Sequence, residues 1–385
     1  MYKLFIIKQN NDGLYESEKR MRKARILHFE LDSNLGGIES FLLNLYKEID
    51  RDAVQFDFVT QSDTPALAGE FLSLGANIYK VSSAKNVYRY QHDIQKLLLN
   101  GYDVVHVHKN SLANIVPIYC GVKADIPVFL HSHNTKPSMG KVTYLLHEIN
   151  KFKAYKMTEE HFACSSEAGH WMYGNKSFTI ARNGIIAERF KFEHSKRIEK
   201  RKELLIPEDA FVIGHVGRFT DQKNHEFLLD IFNEVNRMKK ETILLLIGEG
   251  ENRNKIERKV KKLGIGDKVK FLGNRSDIPQ LLMCMDAFVM PSLYEGLPIS
   301  AVEAQAAGVK TFLANTISKE TELSSAVIWF SIDDKAYNIA KIIIEKCKEQ
   351  SDRSWYNTEV VNAGFAMEKT AKMLQNTYIN AMREK

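Results

Sequence analysis

From Arg25 onward, short apolar runs alternate with stretches in which apolar residues recur every three or four positions. That alternation is the signature of a parallel β-sheet covered by helices on both faces, an α/β fold class. The run from Ile26 to Leu31 leads into Gly36-Gly37, after which Ile38, Phe41, Leu42, Leu45 and Ile49 share one helical face, giving a strand, a glycine turn and a helix. Further strands are predicted at 56–60, 77–81, 103–108, 127–133, 161–164 and 178–181, making one doubly wound domain over 24–190. The pattern restarts at 211–217, followed by a helix with Phe227, Leu228, Ile231, Phe232, Val235 and Met238 on one face. Strands at 243–247, 268–272, 287–290 and 311–314 complete a second doubly wound domain over 205–360. Residues 191–204 are dense in charge and poor in apolar side chains, which reads as a solvated linker. Residues 1–23 read as an N-terminal extension, and within 361–385 Met367, Ala371, Leu374 and Tyr378 fall at helical spacing.

Composition narrows the function classes. With 385 residues and 44% hydrophobic content the chain can fill more than one core, and bulk disorder is excluded. Lys plus Arg exceed Asp plus Glu by only 54 to 48, too thin a surplus for a nucleic-acid partner without a concentrated patch. Cys120, Cys164, Cys284 and Cys347 form no Cys-x-x-Cys pair and read as buried thiols of a reducing compartment. No apolar run is long enough for a membrane span or a secretory signal, so the expected location is cytoplasmic.

In doubly wound sheets ligands bind beyond the carboxyl ends of the strands, and two such domains are expected to enclose a cleft there. The segment from Pro291 to Ala304 carries the strongest signal. Pro298 suits the first turn of a helix and Gly308 its end. The N–H groups of Gly296, Leu297 and Ile299, with the positive end of the helix dipole, then form a site for phosphate or sugar oxygens. Glu303, within the helix, can accept two hydrogen bonds from a vicinal diol such as a ribose, and Glu295 precedes the helix. Either carboxylate alone suits an ordinary surface helix, whereas the pair in this frame is much more specific.

Glu295 and Glu303 in their Glu-Gly-Leu-Pro frame, together with Gly36-Gly37-Ile38-Glu39, Val216-Gly217-Arg218-Phe219, Lys223-Asn224 and Asn183-Gly184, resemble the retaining glycosyltransferases of family 4, which have the two-domain GT-B fold. The resemblance spans about residues 24–380, and His131-Ser132-His133-Asn134 and Glu303-Ala304-Gln305-Ala306-Ala307-Gly308 look most like its capsule and exopolysaccharide branch. Ile186 stands where many members carry Asp. The resemblance implies a last helix returning to the first domain. It also implies a UDP-sugar donor, a lipid-linked saccharide acceptor and no metal. Arg218 and Lys223 would hold the diphosphate, Glu303 the ribose, Glu295 and the amides after it the donor sugar, and His133 the reacting face. Gly36, Gly37, Asn183, Gly217 and Pro298 belong to the same donor site, and Arg275 borders the base.

A cleaved sugar nucleotide leaves a diphosphate whose charge must be met, and where no metal is bound, side-chain cations such as Arg218 and Lys223 must do it. His106, His108, His131 and His133 invite a zinc reading, which no carboxylate or thiol at suitable spacing supports. Asp50-Arg51-Asp52 spells the Asp-x-Asp of metal-dependent transferases, but it closes a helix before a strand begins. Helix 141–156 sets Val142, Leu145, Leu146, Ile149 and Phe152 on one face beside Lys141, Lys151, Lys153 and Lys156, which suits either peripheral contact with an anionic membrane or an ordinary domain helix. Two rival functions share this fold: a sugar-nucleotide epimerase and a non-catalytic partner subunit.

Overall fold

The central aliphatic runs read from the sequence become strands buried on both faces, the burial that parallel sheets require. The computed structural model describes residues 5–10, 13–18, 22–33, 36–134, 140–348 and 352–383. Within the N-terminal extension, β1 (Phe5–Asn10) and β2 (Gly13–Glu18) pair as an antiparallel hairpin; residues 1–4, 11–12 and 19–21 lie outside the described residues. The chain divides into two units, one of residues 1–184 with 367–385, the other of residues 185–366.

The first unit holds β3 (Ala24–Leu31), β4 (Val54–Thr60), β5 (Asn77–Lys80), β6 (Val104–Lys109), β7 (Val128–Ser132), β8 (Glu160–Ala163) and β9 (Thr179–Ile180). They form a parallel sheet in the order β5-β4-β3-β6-β7-β8-β9, which reverses direction between β3 and β6. Helices Gly37–Glu48 and Met367–Arg383 cover one face. There Phe41, Leu45 and Tyr46 meet Phe56, Phe129 and Phe162 from the strands and Leu374 and Tyr378 from the last helix. The other face packs on Tyr90, Ile94, Ile118 and Met172 from four further helical positions. Met367, Ala371, Leu374 and Tyr378 are all buried in this unit, so the last helix does return to it.

The second unit holds β10 (Phe211–Val216), β11 (Thr242–Ile247), β12 (Val269–Gly273), β13 (Ala287–Met290), β14 (Lys310–Ala314) and β15 (Val327–Phe330). All pairs are parallel in the order β12-β11-β10-β13-β14-β15, with the switch between β10 and β13. β15 (Val-Ile-Trp-Phe) is a further strand, beyond those expected from the sequence.

The segment 191–204 is a correction. It contains a helix, His194–Glu203, that belongs to the second unit. Its charges are held by partners beyond it in sequence. Arg197 and Arg201 bind Asp286 at 2.6 and 2.9 Å, Arg201 donates to the carbonyls of Cys284 and Ala210 at 3.0 Å each, and Lys200 reaches Asp277 at 2.8 Å. Lys200 and Arg201 are therefore buried, which composition alone cannot reveal.

Leu374, fully buried under the first sheet, should cost ~3 kcal/mol on truncation to alanine. Hydrogen exchange of Leu374→Ala is expected to show lost protection in β3, β6 and β7 with β10 and β13 unchanged. Equal loss in both units would contradict the assignment of the last helix.

Candidate functional site

The second sheet places two loops side by side at its switch point, the one after β10 and the one after β13, and both hold residues singled out from the sequence. Gly217 follows β10 at a point where a Cβ would stand 3.2 Å from Lys223 Cε and 3.0 Å from His215 Nε2. Glycine thus lets the Lys223 stem lie along the loop. From behind, Gly248 and Gly250 press against it, since a Cβ on Gly248 would meet the Gly217 carbonyl oxygen at 2.3 Å and one on Gly250 the Phe219 backbone at 2.6 Å. These two glycines were not singled out, although Gly-x-Gly directly after an apolar run is a readable sign of close backbone approach.

Gln222 ties the two loops together. Its carbonyl oxygen accepts from the Leu293 N–H at 2.8 Å and its side-chain amide donates to the Tyr294 carbonyl at 3.0 Å. The far side of the β13 loop is held by Thr316, whose hydroxyl donates to the Ser292 carbonyl at 2.6 Å, and by the Ser318 N–H on the Glu295 carbonyl at 3.0 Å. Between these clamps Lys223 Nζ sits 2.6 Å from Glu295 Oε1, with both side chains mostly buried. Arg218 is exposed, and among the described residues its guanidinium has no ion pair or hydrogen bond. One cation is therefore pre-positioned by a carboxylate and a second is open to a ligand.

The helix after the loop runs Ile299–Ala306, with Pro298 as its N-cap, one residue earlier in the helix frame than the sequence suggested. Gly308 follows it with φ +70 and backs onto the Arg353 carbonyl, so glycine is needed there on both counts. Among the described residues the N–H groups of Gly296, Leu297 and Ile299 have no internal acceptor, as expected at a helix start. Glu303, on the second turn, has its carboxyl pushed up to about 7 by burial, opposed by the charge of Arg189. Arg275 does not join this group. Asp277 holds it at 2.6 and 2.7 Å and Glu203 at 3.3 Å, in the same network that anchors Lys200.

In the first unit the glycine turn after β3 is locked by Glu39, whose carboxylate accepts from the N–H of Gly36 at 3.0 Å and of Asp32 at 3.2 Å. Burial raises the Glu39 carboxyl, and these backbone donors oppose the rise. Gly37 faces Asn183, whose Nδ2 lies 3.8 Å from where a Cβ would stand. His133 follows β7, and burial pushes its imidazole down to about 3 with the Asn183 side chain partly opposing. Gly37, Asn183 and His133 thus come together at the carboxyl edge of this sheet.

Behind His133 lies a buried row of imidazoles. His28 is in register with His106 and His108 with His131, so all four stand on one face. His28, which the sequence reading passed over, bonds through Nδ1 to His108 Nε2 at 2.9 Å, and His108 Nδ1 bonds to His133 Nε2 at 2.9 Å. Two trios, His28/His106/His108 and His108/His131/His133, bring their ligand atoms within 4.8 Å. Burial first, and neighbouring imidazoles next, hold His106, His108 and His131 well below their ordinary range. A dication in this apolar layer would have no carboxylate or thiolate among these ligands to balance it.

On the surface of the first unit, helix Lys141–Met157 exposes Val142 (73%), Ile149 (63%) and Phe152 (58%), with Leu145 and Leu146 also exposed. No helix among the described residues is long and apolar enough to cross a membrane.

Residues 196–353 match the family described as Glycosyl transferases group 1. A putative glycosyltransferase EpsF of Bacillus subtilis (strain 168) is 31% identical over 319 residues, covering 80% of this chain and 83% of that one. The UDP-Gal:alpha-D-GlcNAc-diphosphoundecaprenol alpha-1,3-galactosyltransferase of Escherichia coli is 24% identical over 392 residues, covering 94% and 98%. In fold, the chain superimposes on the crystal structure of Anabaena Alr3699/HepE in complex with UDP with a TM-score of 0.75, at 18% identity, over 93% of this chain and 100% of that one.

The Glu303 carboxyl sits above its unfolded value, so the folded state favours the protonated form. Its contribution to stability is present below about pH 4.5 and is lost as pH rises through about 7. Glu303→Gln should therefore gain on the wild type between pH 5 and pH 8, by up to about 3 kcal/mol in urea unfolding. A gap independent of pH would contradict a carboxyl whose charged form the fold disfavours.

Proposed function

The chain belongs to the group 1 glycosyl transferases and has their GT-B fold, and from that premise we propose that it is a retaining, metal-independent enzyme of family 4 acting in polysaccharide biosynthesis. It transfers a hexose or N-acetylhexosamine from a UDP-sugar to a lipid-linked saccharide of capsule or exopolysaccharide. The observation that carries this reading is the pairing of an open cation, Arg218, with a clamped one, Lys223, beside unpaired N–H groups at the switch point of the second sheet. That combination suits a diphosphate, whose leaving-group charge grows toward the transition state.

In this proposal Arg218, Lys223 and the amides of Gly296 and Leu297 hold the diphosphate. Glu303 accepts from the ribose diol, and Glu295 takes the donor sugar as Lys223 turns to phosphate. Gly36, Gly37, Asn183 and His133 face the reacting sugar. The acceptor hydroxyl attacks the anomeric carbon on the face the phosphate leaves. The carbon–phosphate-oxygen bond breaks, the new glycosidic bond forms, and the hydroxyl proton passes to the departing phosphate. Both acidic residues are committed to the donor, which leaves no carboxylate base on the opposite face and supports retention. The exposed apolar and lysine-bearing helix 141–157 supports peripheral contact with the cytoplasmic face of a membrane carrying the acceptor.

Transfer from UDP-sugars to a lipid-linked acceptor in excess chelator should proceed, and proton NMR should show an α-linked product from an α-donor. Loss of turnover restored by magnesium or manganese, or a β-linkage, contradicts the mechanism; conversion of donor without acceptor indicates an epimerase. Lys223→Ala is expected to lower kcat by about a hundredfold or more while weakening donor binding much less. Ile149→Glu with Phe152→Glu should release the protein from anionic vesicles in a flotation assay, and retention there would place the membrane contact elsewhere.

A further inference from the structure

The histidine row has a direction. Three buried or nearly buried imidazoles form a continuous chain, His28 Nδ1 to His108 Nε2 and His108 Nδ1 to His133 Nε2, each bond 2.9 Å. Each neutral imidazole carries one N–H, so a chain of two bonds has only two consistent arrangements. In one, every proton points toward His133; in the other, every proton points back to His28.

Two observations choose between them. His28 Nε2 is fully buried without a partner, among the rings of Phe56, Phe58 and Tyr378. Protons running inward would leave an N–H orphaned there, whereas protons running outward leave only a lone pair, the smaller cost. At the other end His133 Nδ1 and Asn183 Oδ1 are both buried and unpartnered, and Asn183 favours the proton on His133, as an acceptor oxygen does. An N–H on Nδ1 suits a neighbouring acceptor oxygen, whereas a lone pair there gains nothing from it. The remaining neighbours do not compete. His106 Nδ1 is engaged by the Tyr378 hydroxyl at 2.6 Å, and His131 stacks on His133 with ring centroids 4.0 Å apart, parallel to the chain rather than in it.

We infer that His28 and His108 are positioning residues that fix His133 as the neutral tautomer protonated at Nδ1, with Nε2 accepting from His108, so that neither ring nitrogen of His133 is free to act as a base toward the reacting sugar. The inference rests on the placement of His133 beside the substrate proposed above. It also gives that placement its chemistry, since a histidine with no free lone pair leaves the acceptor proton to the departing phosphate.

Histidine-selective nitrogen and carbon NMR of the free protein at pH 7 reads the tautomer directly, with His133 assigned by its loss in His133→Gln. The expected spectrum has a pyrrole-type Nδ1 and a pyridine-type Nε2 on His133. A pyrrole-type Nε2, or a charged imidazolium, overturns the inference. In His108→Ala the His133 signal should move toward mixed tautomers and kcat should fall roughly tenfold or more, with donor KM changed less than about twofold. His108→Asn, whose side-chain amide can donate from the place of the imidazole Nδ1, should recover most of both; no recovery of the tautomer overturns the relay. Full activity in His133→Gln, with the wild-type tautomer as expected, would overturn the placement of His133 at the substrate rather than the tautomer assignment.

Discussion

A site for a leaving diphosphate has to store positive charge close to apolar strand ends before any anion arrives. In the proposed function the Lys223–Glu295 contact at 2.6 Å is how the second unit does so. A lone buried ammonium would lose its charge or drive the loop outward, and a fully matched salt bridge would hold the lysine too firmly to release it. The two sit within ion-pair distance while Glu295 Oε1 makes no aligned hydrogen bond. Gln222, Thr316 and Ser318 keep the two loops in place around it, so the pair need not supply the loop structure itself.

The first unit solves the opposite problem. Its site edge is backed by imidazoles that burial keeps neutral, so polar direction is supplied by tautomer instead of charge. The row is possible because β3, β6 and β7 are adjacent, and alternate residues of each strand reach one face. The last helix closes that face with Tyr378, which bonds His106 and stacks on Phe129. Its buried face and the polar row beneath it are thus one packing unit.

Much of this was legible in the sequence, because period-2 and period-3.6 patterns report burial directly. Twelve of the fifteen strands among the described residues follow from apolar runs, and the helix that carries Glu303 lies where the motif put it, within one residue. What was not legible depended on partners distant in sequence. Helix His194–Glu203 reads as solvated because Asp277 and Asp286, which receive its cations, lie more than seventy residues away. His28 sits in an ordinary strand pattern, and only the β3–β6 register reveals it as the inner end of a relay. Gly248, Gly250 and Gln222 shape the loops through backbone contact, which carries only a faint sequence signal. Arg275 shows the converse: a well-placed cation after a strand whose charge the fold consumes.

The central claim is that side-chain cations of the second unit, unaided by metal, recognise the diphosphate. Calorimetric titration of UDP and of UMP in EDTA tests it most directly, because the two ligands differ by the one phosphate in question. UDP should bind tighter than UMP by roughly tenfold or more, ~1.4 kcal/mol, and the gap should shrink in Arg218→Ala and in Lys223→Ala. Equal affinity for the two nucleotides, or a gap that survives both substitutions, would contradict the account.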